Sequence, residues 1–291
     1  MAAYKIVQIT DTHLTADGDK PANHQRVDPA KKLADVFDDI HDTEVNPDLI
    51  VISGDLVHNG HPKDYRHFQK YLAKEEKRQN ARIQVILGNH DRTKAFYKGF
   101  LKDDPKARYF YKVPTDIWDL YFLDTKCGDI EQGYIDADQL EWLQTSLSES
   151  SKPAVIFMHH PLAGPTLEHM HYSILQNGDE LLKAIPEGKV KAIFAGHIHF
   201  AASYQVDGIL NVVSDSTAYH IDCSNHHHHF ANDATAYSVI NLDEKGIGVE
   251  QRRLRFGRKT IKTFDIPDTG FVDHKIIQDE LDRVRESLEE K

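Results

Sequence analysis

Five short apolar runs dominate this chain: KIVQIT (5–10), DLIVIS (48–53), IQVILG (83–88), AVIFMH (154–159) and KAIFAGH (191–197). They are apolar almost throughout, where a half-exposed strand would alternate. Strands of that kind are buried on both faces, pair largely in parallel, and need helices to cover them. Helical patterns separate them. DPAKKLADVFDDIHD (28–42) has Asp28 as N-cap and Pro29 at the first helical position. PKDYRHFQKYLAKEEKR (62–78), RTKAFYKGFLK (92–102) and DADQLEWLQTSLSES (136–150) read as further helices. ARYFYKV (107–113) and IWDLYFLDT (117–125) read as neighbouring strands joined by a Pro-Thr-Asp turn. Beyond residue 197 the chain turns strand-like, through ASYQV, ILNVVS, AYSVINL and GVEQRRL, with Asp207-Gly208 as a hairpin turn. Parallel pairing early and a meander late fit an α/β (α+β) architecture: two sheets packed together and flanked by helices. The tail, 271–291, reads as a helix whose stripe of Ile277, Leu281, Val284 and Leu288 packs on its own domain or on a second copy in a homodimer. The expected division is a catalytic domain over 1–265 and a C-terminal amphipathic helix over 266–291.

At 291 residues the chain is long enough for a sizeable core. A net charge of −11 argues against long nucleic acid, which needs a basic footprint. It does not exclude a small anionic substrate, because a bound ion can dominate the local field. No secretory signal is evident at the start, and no apolar run approaches the roughly 18 residues that span a bilayer. Cys127 and Cys223 are too few for a disulfide framework and fit two reduced thiols in a cytoplasm. The chain holds 19 histidines, and their positions decide what they mean.

Each of the five apolar runs ends in metal-ligand residue types. The first is followed by Asp11 and His13, the second by Asp55, and the third by Asn89, His90 and Asp91. The fourth is followed by His159, His160 and Pro161, and the fifth by His197 and His199. Ligands gather outside the carboxyl ends of strands in open α/β sheets. In extended backbone, residues i and i+2 point the same way, so Asp11 with His13 and His197 with His199 would each present two ligands to one place. Carboxylate, imidazole and amide oxygen suit Mn, Fe or Zn rather than a soft thiolate site. Seven such groups exceed one tetrahedral ion and suit two ions sharing a carboxylate.

In this order the motifs DTH, GD, GNHD, HHP and GHIH, over residues 11 to 199, resemble those of the calcineurin-like metallophosphoesterase superfamily. The resemblance implies a four-layer fold with a two-sheet sandwich at its centre. It implies that Asp11, His13, Asp55 and His199 hold one divalent metal, and Asp55, Asn89, His159 and His197 the other. In HHP the ligand would be His159, with His160 pointing the opposite way. Hydroxide bridging the two ions would attack phosphorus, and His90 would donate to a phosphoryl or leaving oxygen. Asp91 would orient His90, or else cap the following helix.

The protein serine/threonine phosphatases continue the second motif as V-D-R-G. This chain has His58 and Asn59 there, which departs from that branch. QITDTHL, GDLVHNG, GNHD and MHHP look most like the class III cyclic-nucleotide phosphodiesterases, bacterial enzymes that hydrolyse 3′,5′-cyclic AMP and related phosphodiesters. On that resemblance His58, Asn59 and His220 are candidate substrate contacts, Tyr219 stands beside them, and the partner is a small phosphodiester. The alternatives are a glycerophosphodiester, a nucleotide diphosphate, or a non-catalytic binding module. The run His226 to His229 follows no strand end and carries no adjacent D-x-H or H-x-H, so it reads as a polar loop before a late strand.

Overall fold

The computed structural model describes residues 3–20, 27–225, 227–265 and 270–289. Strands β1 (Tyr4–Ile9), β3 (Leu49–Ser53) and β5 (Arg82–Ile86) run parallel at one side of the first sheet. The long β13 (His228–Leu242) joins β1 antiparallel and carries β12 (His220–Asp222) and β14 (Ile247–Asp265), both antiparallel to it. The second sheet runs β10 (Ala202–Val206), β11 (Ile209–Val213), β9 (Val190–Ala195), β8 (Ala154–Phe157), β7 (Asp119–Phe122) and β6 (Tyr111–Pro114). Its four central strands are parallel. A two-residue pair, β2 (Leu14–Thr15) with β4 (Val57–His58), lies outside both sheets.

The near-continuous apolar runs do what burial on both faces requires. Ile6, Leu49, Val51 and Ile86 face inward and meet Leu120, Phe122, Val155, Phe157 and Phe194 of the other sheet. The rings of Phe122, Phe157 and Phe194 stack across three strands at 5.3 and 5.1 Å. The opposite faces carry helices. Val7, Ile9, Ile50 and Ile52 pack against Leu33, Val36 and Phe37 of α1 (Pro29–Asp42) and Tyr65, Phe68 and Leu72 of α2 (Pro62–Gln79). The short α3 (Thr93–Phe96), continued by Tyr97–Leu101, closes that face. Tyr121, Ile156 and Ile193 pack against Leu143 and Leu147 of α4 (Ala137–Glu149) and Leu181 of α5 (Gly178–Ala184). Helix, sheet, sheet and helix make the four layers.

Local signals hold where they are chemically specific. The Asp28 carboxylate accepts from the Lys31 N–H and caps α1. Asp207 and Gly208 both take positive φ between β10 and β11, as a tight hairpin turn demands. Helix α6 (His274–Glu289) lies on its own domain, where Ile277 and Leu281 cover Cys127, Ile130 and Tyr134. The expected boundary at residue 266 lies outside the described residues, as does His226. The histidine run is not simply a loop, because His228 and His229 already belong to β13. β14 extends far enough to pair them with Asp265 and Phe264.

Candidate metal centre

β1, β3, β5, β8 and β9 all deliver their carboxyl ends to the same edge of the sandwich, so ligands from both sheets meet across the gap. Each strand stops two or more residues short of its ligands. Asp11, His13, Asp55, His197 and His199 then adopt φ of 53, 41, 51, 73 and 56°. This left-handed backbone costs of order 1–3 kcal/mol per non-glycine residue and clusters at functional sites. It replaces the extended i, i+2 arrangement expected from sequence. The ligands converge because the chain turns sharply at each one, not because strand alternation continues. Glycine makes room for the approach: a Cβ on Gly88 would overlap Asp55 Oδ1 and lie 2.7 Å from His159 Nε2.

Asp11, His13, Asp55 and His199 form one cluster of buried donor atoms. His13 Nε2 stands 3.1 Å from His199 Nε2 and 3.4 Å from Asp55 Oδ2, and His199 Nε2 is 3.3 Å from Asp11 Oδ1. His159 Nε2 lies 3.5 Å from Asp55 Oδ1 and 3.2 Å from Asn89 Oδ1. Ligand atoms 2.0–2.2 Å from a shared ion stand about 3.0–3.4 Å apart, so these spacings suit the edges of a coordination polyhedron. Asp11 Oδ1 is buried with no hydrogen-bond partner, which a cation would supply. The residues therefore fit a metal centre.

Surrounding groups fix which ring nitrogen is offered. Ser53 O lies 2.8 Å from His159 Nδ1, and Tyr219 O lies 2.8 Å from His199 Nδ1. A proton on each Nδ1 leaves Nε2 for an ion. His197 is reversed: Ser173 Oγ holds its Nε2 at 3.1 Å, which leaves Nδ1. The Asp11 Oδ2 atom accepts from Thr10 Oγ1 and from the His197 N–H.

Electrostatics follow from this crowding. Burial alone would raise both carboxyls, but His199 and His159 hold Asp11, and His159, His90 and His13 hold Asp55, below the usual carboxylate range. Burial would lower His159, yet the Asp55 and Asp11 carboxylates carry it up to about 9. Burial and His159 push His197 down to about 3.

His90 stands half-buried at the rim, its N–H donating to Asp55 Oδ1 and its ring 5.0 Å from His13. Asp91 neither orients His90 nor caps the next helix, whose N-cap is Arg92. Its carboxylate accepts from the N–H groups of Leu56, Val57 and Gly88 and from the Tyr65 hydroxyl. It laces the loop after β5 to the loop after β3. His58 is half-buried, and burial and His90 push it down to about 4. Asn59 is exposed in a left-handed turn, with its N–H on the His90 carbonyl. His220 is held by Asp215 at 3.0 Å, and it is Tyr219 whose ring meets the cluster, 4.2 Å from His199.

His160 does not point away from the site. β8 ends at Phe157, so alternation no longer applies. Its ring lies 4.4 Å from His197, and its Nδ1 is 2.7 Å from Thr125 Oγ1. Thr125, Ser173 and Lys126, whose Nζ reaches Asn89 O at 3.4 Å, go unread in the sequence, whereas Tyr219 stands among its candidates. Thr125 and Lys126 follow the buried strand DLYF, which is the signal that could have found them. Ser173 sits in an irregular segment with no such mark.

Buried histidines and carboxylates at the carboxyl edge of a two-sheet sandwich define a metal-dependent phosphoester hydrolase. The sequence pattern of the calcineurin-like phosphoesterase family matches residues 4–201, and the chain belongs to that family. It is 28% identical over 74% of its length to a cAMP/cGMP dual specificity phosphodiesterase of Mycobacterium tuberculosis, 68% of which is covered. It is 27% identical over 74% of its length to a probable glycerophosphodiester phosphodiesterase of Arcobacter nitrofigilis, 79% of which is covered. A dimetal phosphatase from Danio rerio shares the fold, with a TM-score of 0.59 at 14% identity over 92% of this chain and 100% of that one.

Proposed function

We propose that this protein is a binuclear-metal phosphodiesterase for small phosphodiesters, with a 3′,5′-cyclic nucleotide such as cyclic AMP as substrate. The observation that carries the reading is the convergence of Asp11, His13, Asp55, His159 and His199 at spacings of 3.1–3.5 Å. Asp11, His13, Asp55 and His199 would hold one ion, and Asp55, Asn89, His159 and His197 the other, with Asp55 shared. Mn, Fe and Zn suit this donor set. When bound, the ions would screen phosphoryl charge and lower the pKa of a water toward neutrality.

The chain's own groups do the rest. Ser53 O and Tyr219 O orient the rings of His159 and His199. His90, at the rim and anchored through Asp55, is placed to donate a proton to a phosphoryl or leaving oxygen. His58 and Asn59 flank it as substrate contacts, and His220 enters only if it leaves Asp215. A cytoplasmic setting belongs to the same reading, supported by two free thiols, Cys127 and Cys223. Among the described residues no helix is long and apolar enough to cross a membrane.

The relative named as a glycerophosphodiester phosphodiesterase supports a second substrate class. One panel separates them: cyclic AMP, cyclic GMP, 2′,3′-cyclic AMP, a glycerophosphodiester, a dinucleoside polyphosphate and a phosphomonoester, assayed with added Mn²⁺. Highest kcat/KM on the 3′,5′-cyclic nucleotides supports the proposal. Preference for the glycerophosphodiester moves it to the second class, and hydrolysis of monoesters alone refutes both.

A further inference from the structure

One group of metal-capable side chains reaches beyond the two-ion set and shares only His13 with it. A ring nitrogen from each of His13, His58 and His90 lies within 4.8 Å of the others. The His58 and His90 rings stand 4.4 Å apart, and His13 lies 5.0 Å behind His90. His13 Nδ1 and His58 Nδ1 are buried without hydrogen-bond partners. The His13 side chain is 1% exposed, so its orphaned nitrogen is out of reach of bulk water and is costly unless something meets it. His58 and His90 are half-buried and open to solvent on one side.

We propose that His58 and His90, with His13 behind them, form a third metal site whose occupation inhibits the enzyme. Its donors are the His58 and His90 imidazole nitrogens, with water completing the shell, and His13, whose Nε2 serves the first ion, keeps its Nδ1 proton to donate to that shell. Such a set takes Zn²⁺ and leaves Mn²⁺, which prefers oxygen ligands. An ion there occupies the His90 imidazole and removes it from the phosphoryl group. The same metal that fills the centre at low concentration therefore blocks it in excess. The inference rests on the two-ion reading, because only a filled centre makes this ion an additional one.

The test titrates manganese-loaded holoenzyme with Zn²⁺ while total metal per chain and diesterase activity are followed together. Wild type is expected to rise from two ions to three as activity falls, with excess Mn²⁺ causing no such loss. His58→Gln should hold two and need at least about ten-fold more Zn²⁺ for the same fractional inhibition, since even losing an outer-shell partner costs that much affinity. His227→Ser with His228→Ser controls for the exposed histidines at the start of β13 and just before it. A third ion that this variant loses and His58→Gln keeps would overturn the assignment. So would activity lost while wild type stays at two ions, which is simple exchange. Fewer than two ions in wild type would overturn the two-ion reading as well. Should His58→Gln fail to fold, ¹¹³Cd NMR of the wild type decides: three resonances support the site and two refute it.

Discussion

Replacing Asp91 with alanine should destabilise the fold, and the deficit should grow as the pH falls. Its Oδ2 accepts from Leu56 and Gly88 at 3.1 and 2.9 Å, and its Oδ1 from Val57 and Tyr65 Oη at 3.2 and 2.8 Å. Alanine leaves four donors without their acceptor in a position 1% exposed. At about 1.5–3 kcal/mol for each bond to a charged group, the loss is about 6–12 kcal/mol. Burial and the nearby Asp55 oppose it, raising the Asp91 carboxyl from 3.8 to about 6. Holding the anion there costs about 3 kcal/mol, which the variant recovers. The net deficit at pH 7 is about 3–9 kcal/mol. Because the folded-state pKa is raised, the folded protein binds the proton more tightly than the unfolded chain. Stability from this group is gained as pH falls through 6 and is complete below 3.8. At pH 5 wild type gains about 1.4 kcal/mol that the variant cannot. Urea unfolding at pH 7 and pH 5, with EDTA present so that metal release adds no pH dependence, measures both deficits. A deficit below about 0.5 kcal/mol at pH 7, or one that shrinks at pH 5, would refute the reasoning.

His90→Ala should lower kcat by about 10²–10⁴ while metal content stays at wild-type level, and unchanged turnover would remove its role. The proton that Asp55 and Asp11 hold on His159, with a pKa of about 9, occupies the atom offered to the ion. Metal affinity measured by competition with a chelator should therefore rise about 50-fold from pH 7 to pH 9, and a flat profile would contradict the ligand assignment. Burial pushes the Cys127 thiol up to about 11 beneath Ile277 and Leu281. Ile277→Asp should undock α6 and let a disulfide reagent titrate Cys127 in native protein. A thiol that stays inert would show that α6 is not its cover.

The parts of this protein legible in sequence are those whose chemistry is local. Pro29 after Asp28 marks a helix start whatever surrounds it, and Asp207-Gly208 marks a turn because few residues tolerate positive φ. The five strands were legible because burial on both faces suppresses alternation, and the motif residues were legible because each directly follows such a strand. What failed depended on where the chain leaves the strand. His160 was assigned to the wrong side because β8 was extended by two residues beyond Phe157. The role of Asp91 is hidden from local sequence because three of its four donors lie on α2 and just after β3, 26 to 35 residues away. The histidine run was read as a loop because nothing in HHHH announces the long β14 that pairs with it.

One residue in the opening strand joins the two kinds of information. Within KIVQIT, Gln8 interrupts the apolar Ile6, Val7 and Ile9 and is fully buried. A lone buried amide is unfavourable unless its hydrogen bonds are met, and here they are met across the sandwich. Gln8 Nε2 donates to Ser53 Oγ and to Ala195 O, and its Oε1 accepts from Ser214 Oγ, which in turn meets Ser238 Oγ at 2.6 Å. These bonds tie β1 and β3 of the first sheet to the end of β9 in the second, close below Asp11, Asp55 and His197. Apolar packing between sheets tolerates sliding, because dispersion and burial have little direction. Directional bonds in a dry interior do not. The glutamine therefore fixes the offset between two sheets that supply four and three of the proposed ligands. A shift of one ångström there would separate His199 from Asp11 and His159 from Asp55 beyond the span of a shared ion. The residue that interrupts the apolar pattern is the one that makes a cross-sheet metal centre geometrically defined.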